Sequence, residues 1–95
     1  MRLSDSEVQI VRKILHEEDP HGRIYLFGSR TDDKKKGGDI DLFFESSIVL
    51  DLKRKLALEY LLSVECDTKV DLLVKNPGQE EQAIFAIARR GLIIN

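Results

Sequence analysis

The chain has 95 residues, 42% of them hydrophobic and 34% charged, which suits one small globular domain and leaves no room for a second core. Fifteen Lys and Arg against seventeen Asp and Glu give a net charge of -2, so direct nucleic-acid binding through a broad basic surface is not expected. A single cysteine, Cys66, excludes an internal disulfide, and no apolar run reaches the roughly 20 residues of a membrane span. MRLSDSEVQI lacks the apolar stretch of a secretory signal, so the expected location is cytoplasmic.

Ser4 and Glu7 have the spacing of a capping box, with Leu3 and Val8 at the staple positions, and predict a helix start. Val8, Val11 and Leu15 then recur at helical spacing until the turn Asp19-Pro20-His21-Gly22. Arg23 to Phe27 is short, aromatic and apolar at consecutive positions, as in a strand covered on both faces. Gly28-Ser29 ends it. Residues 30 to 38 form a polar loop with room for one helical turn, and a second strand runs from Asp39 to Phe44.

A second long helix is expected from Ser47 to Leu62, its apolar stripe carried by Val49, Leu52, Leu56 and Tyr60 and widened by Leu58, Leu61 and Leu62. Lys53, Arg54, Lys55 and Glu59 fall on its water side. Lys69 to Lys75 reads as a third strand, and Asn76-Pro77-Gly78 turns into a last helix over residues 79 to 90, with Gly91 at the C′ position. Leu92 to Ile94 adds a short edge strand. The expected fold class is therefore α/β (α+β), one domain over residues 1–95, with a small mixed sheet of three to four strands flanked by helices. Ile48, Phe85 and Ile93 are apolar positions available to a partner.

Asp39 and Asp41 stand two apart on a predicted strand, so their carboxylates share one face while Ile40 and Leu42 take the other. Two close carboxylates repel unless a cation lies between them, which makes the pair a natural site for a hard metal such as magnesium. Alone, D-I-D is equally a strand with one solvated face. Three features shift the balance. The flanking IDLFF is too apolar for a simple exposed strand, Asp71 interrupts an equally apolar KVDLLV, and Gly28-Ser29 ends a strand shortly before Asp39. A glycine followed by a hydroxyl residue lets backbone N–H groups approach phosphate oxygens, and neither of the two common glycine-rich nucleotide motifs is present.

Leu26-Phe27-Gly28-Ser29-Arg30, Gly38-Asp39-Ile40-Asp41-Leu42 and Val70-Asp71-Leu72-Leu73, taken in order, resemble the motifs of the minimal nucleotidyltransferases of the DNA polymerase beta-like superfamily. The resemblance spans nearly the whole chain, with Gly38 standing where relatives commonly carry serine. It implies that Asp39 and Asp41 hold two magnesium ions, that Asp71 completes the one activating the acceptor, and that Gly28 and Ser29 grip the phosphates of ATP. It further implies an antitoxin that adenylylates a tyrosine of a HEPN-domain ribonuclease partner. Two alternatives stand beside this: a binding-only antitoxin acting by occlusion, and the catalytic subunit of a small-molecule nucleotidyltransferase. Arg30 reads as a counter-charge and Lys34, Lys35 and Lys36 as solvated surface. His16, His21 and Cys66 lack companions at metal-ligand or catalytic spacing.

Overall fold

The computed structural model describes residues 3–31 and 38–95, the side chain of Ser29 excepted. The expected loop lysines Lys34, Lys35 and Lys36 lie outside the described residues. Helix α1 (Asp5–Glu18) begins at the capping box: Ser4 N donates to Glu7 Oε1 at 2.8 Å, and Glu7 N donates to Ser4 Oγ at 3.1 Å. Strand β1 (Arg23–Phe27) follows, then one 3-10 turn (Gly28–Thr31), β2 (Ile40–Glu45), α2 (Leu52–Cys66), β3 (Val70–Lys75), α3 (Ala83–Arg89) and β4 (Leu92–Ile93). Fold class and element order match the sequence reading.

The four strands form one mixed sheet in the order β3-β2-β1-β4. β1 is antiparallel to β2 and β4, whereas β2 and β3 are parallel and are joined by α2. Alternation along the strands sorts their side chains into two layers. Ile24, Leu26, Ile40, Leu42, Phe44, Val70 and Leu72 pack with Val11 and Leu15 of α1 and with Leu58, Leu62 and Cys66 of α2. On the opposite face Tyr25 and Phe43 meet Phe85 and Ala88 of α3. Their rings stack, Tyr25 on Phe43 at 5.6 Å between centroids and Phe43 on Phe85 at 5.5 Å. Because α3 is only seven residues long, it covers part of this face.

Five expectations need correcting. The second helix starts at Leu52 rather than Ser47, because the Asp51 carboxylate accepts a hydrogen bond from Arg54 N at 2.8 Å and caps it there. Its buried stripe is Leu58, Leu62 and Cys66, while Val49, Leu52 and Tyr60 are each 70% or more exposed. The two stripes lie about 120° apart at 100° per residue, so helical spacing fits either. Glu59 does not face water: its carboxylate accepts from Leu72 N at 2.7 Å, and Ser63 Oγ accepts from Val70 N at 2.9 Å, which closes the outer edge of β3. Phe85, expected as a partner-facing residue, is 1% exposed because it completes the ring stack, whereas Ile48 and Ile93 are exposed. The last helix begins at Ala83 rather than at residue 79. Gly91 does follow its cap, Arg90, yet what requires glycine there is space: a Cβ would lie 2.1 Å from the Leu26 carbonyl oxygen.

Asp19, the C-cap of α1, is 1% exposed. Its carboxylate accepts from His21 N at 3.1 Å, Ser47 Oγ at 2.7 Å and Ser47 N at 2.6 Å, tying the turn before β1 to the loop after β2. Burial alone would push this carboxyl up, but the hydrogen bonds from Ser47, His21 and Ser46 together outweigh it and hold the group below its ordinary value. As pH falls, the unfolded chain takes up this proton first, so the stabilisation is complete above about pH 4 and is lost below it. Asp19→Asn turns one acceptor into a donor facing donors and is expected to cost about 2 to 3 kcal/mol at pH 7. Urea unfolding should show that difference shrinking as the pH drops below the carboxylate range.

Candidate active site

The face that carries the ring stack also carries the acids. Register pairs Asp41 with Asp71 across the parallel β2–β3 ladder and with Phe27 across the antiparallel β1–β2 ladder. Asp39 precedes β2 by one residue, not inside the strand as expected, and two-residue alternation keeps it on the side of Asp41. The trio therefore lies where β2 and β3 begin and β1 ends, beyond the ring stack. Asp39 and Asp71 keep about half of their side-chain surface, 50% and 47%, while Asp41 is half-buried.

The turn after β1 closes this end. Gly28 has φ +75°, a left-handed conformation that side chains other than glycine rarely take. A Cβ there would lie 2.2 Å from Asp41 Oδ2, so the backbone of Gly28 runs directly against that carboxylate. Thr31 Oγ1 donates to Gly28 O at 2.7 Å and fixes the turn. The backbone of Ser29 follows Gly28 within the same 3-10 turn. Arg30 Nε donates to Gly38 O at 3.2 Å, which links the turn to the residue before Asp39. Beside Gly28 a cleft of about 240 Å³ is lined by Phe27, Thr31, Ile87, Arg90 and Gly91.

Lys69, which the sequence reading did not single out, belongs to this cluster. Its ammonium lies 3.9 Å from Asp39 Oδ2 and 3.7 Å from Asp71 Oδ1. The signal was present in the spacing: Lys69 stands two residues before Asp71 and so shares its face of the ladder. Its carbonyl accepts from Ile40 N at 3.0 Å, which holds the segment in register. Around Asp41, burial raises the carboxyl above its ordinary value, the charges of Asp71 and Asp39 raise it further, and Lys69 opposes them.

The donor set suits a hard divalent cation: three carboxylates, no thiol or imidazole, and a positive group between two of the acids. As the side chains stand, no group of three such ligands among the described residues is arranged to hold an ion. Ligation by all three takes rotation of short side chains, two of which are half exposed. His16 and His21 lie at the end of α1 and in the turn beyond it, and Cys66 is buried at the end of α2.

Among the described residues, three helices around a four-stranded mixed sheet match a nucleotidyltransferase core. The chain belongs to the family described as Polymerase beta, Nucleotidyltransferase, whose match covers residues 9–95. No curated protein matches. Among solved structures, similarity extends to a toxin–antitoxin with AMP-PNP, at TM-score 0.76 and 23% identity over 93% of this chain and 72% of the other. A tri-AMPylated Shewanella oneidensis HEPN toxin in complex with MNT antitoxin gives TM-score 0.71 at 23% identity, over 94% and 69%. A mutant MntA–HpeT toxin–antitoxin gives 0.72, also at 23%, over 94% and 71%. No described helix is long and apolar enough to cross a membrane.

Proposed function

We propose that this chain is a magnesium-dependent adenylyltransferase that modifies a HEPN-type ribonuclease partner, moving AMP from ATP to a tyrosine hydroxyl and so acting as its antitoxin. The observation that carries this reading is the meeting of Asp39, Asp41 and Asp71 at one end of a sheet, against a left-handed glycine turn. Family membership supports the reaction class, and the MNT antitoxin and AMPylated HEPN toxin among the structural neighbours support the acceptor and the nucleotide.

Asp39, Asp41 and Asp71 would hold two magnesium ions, which supply charge neutralisation at the attacking and leaving oxygens of an in-line displacement. The acceptor oxygen forms a bond to the α-phosphorus, the α–β phosphoanhydride bond breaks, and pyrophosphate leaves with those electrons. The hydroxyl proton passes to the nearby carboxylates or solvent. Gly28 and Ser29 offer backbone N–H groups at close range to the triphosphate, since no Cβ at residue 28 obstructs the approach. Catalysis is then positioning and charge compensation rather than covalent participation by the protein.

The test is incubation of the chain with magnesium, ATP and a genome-neighbouring HEPN protein, read by mass spectrometry. Added AMP on a tyrosine, absent with Asp41→Asn, is the expected result. An unmodified partner beside a folded, ATP-binding chain would overturn the acceptor assignment. A second reading, neutralisation by occlusion, is favoured by the exposed apolar side chains Leu52, Leu56 and Tyr60 along α2. It requires that Asp41→Asn still silence the ribonuclease.

A further inference from the structure

Lys69 stands at the corner of a square. The parallel register sets Asp41 beside Asp71, and two residues earlier on each strand Asp39 and Lys69 take the same side of the sheet. One cation therefore shares a face with three anions. Its ammonium contacts both Asp39 and Asp71, the two most exposed acids, and is itself 69% exposed on a flexible stem. Its place is that of a point charge between two carboxylates, the role a divalent ion takes among oxygen ligands.

We propose that Lys69 is a tethered competitor for the metal, so that free divalent ions load poorly and a metal–nucleotide complex loads preferentially. The inference rests on the metal reading of Asp39, Asp41 and Asp71 given above. A free ion approaching Asp39 and Asp71 must displace the ammonium and then faces it as a like charge. A metal already chelated by a triphosphate arrives with net negative charge, and the displaced ammonium gains phosphate oxygens as new partners. The lysine thus penalises one form of the ion and not the other. A purely structural counter-ion would affect both forms alike.

The experiment measures affinity for free Mn²⁺, by electron paramagnetic resonance, and for Mn²⁺–AMP-PNP in the wild type, Lys69→Met, Lys69→Arg and Asp41→Asn. Two exposed ion pairs of ordinary strength correspond to about a three- to tenfold change. Lys69→Met should bind free Mn²⁺ tighter by about that factor, without a matching gain for Mn²⁺–AMP-PNP, and Lys69→Arg should stay near the wild type. Asp41-dependent Mn²⁺ binding that Lys69→Met leaves unchanged, weakens, or strengthens equally for both forms overturns the inference alone. If none of the proteins shows Mn²⁺ binding that depends on Asp41, the metal reading falls and this inference with it.

Discussion

Asp41→Asn should lower AMP transfer by at least about a hundredfold, since even residues that only orient metal ligands are worth about 10- to 100-fold. The same substitution should raise the stability of the metal-free protein. Asp41 is held between Asp39 and Asp71 on a partly buried face, and its carboxyl sits above the ordinary range first because of burial and then because of those two charges. A carboxyl with a raised folded value costs stability as it ionises, so the penalty is absent at low pH and grows as pH rises through that value. Asparagine removes the charge and keeps the shape. Its stabilising effect should therefore be larger at pH 7 than near pH 4 in thermal melts without metal, and addition of magnesium with AMP-PNP should narrow the gap by stabilising only the wild type. Unchanged turnover in Asp41→Asn would remove Asp41 from the site; a melting temperature that falls at pH 7 would remove the electrostatic account.

Gly28→Ala is expected to reduce transfer strongly at modest cost to the fold. The added methyl group meets Asp41 Oδ2 at 2.2 Å, and the three nearest atoms all belong to that side chain rather than to backbone. The carboxylate can turn aside, so the chain still folds, but it then leaves the face it shares with Asp71. To this is added the left-handed backbone at φ +75°, which costs a residue with a Cβ about 1 to 2 kcal/mol. Denaturant unfolding should register a loss of that order, whereas transfer at a temperature where both proteins are folded should fall further than stability explains. Full activity in the alanine variant would show that residue 28 does not set the position of Asp41. Asp19→Asn offers the contrast: it weakens the fold at a point away from the three acids and should leave the chemistry of the folded fraction unaltered.

Local sequence determined much of this protein. The capping box at Ser4, the apolar runs of β1 to β3 and the turn residues at Gly28 and Asn76-Pro77-Gly78 each act over a few residues, so the element order was legible without coordinates. The D-I-D spacing likewise places Asp39 and Asp41 on one side by the geometry of a single strand. Tertiary structure decided the rest, because it depends on which surfaces meet. Helix α2 carries two apolar stripes of similar periodicity, and only packing against β3 and α1 selects Leu58, Leu62 and Cys66 as the inner one. Glu59 looked like a solvent residue until the edge of β3 lay beside it. Phe85 looked like a partner contact until Phe43 stacked on it. Asp71 and Lys69 reach Asp39 and Asp41 only through parallel pairing of β2 with β3, a long-range register that no local pattern encodes.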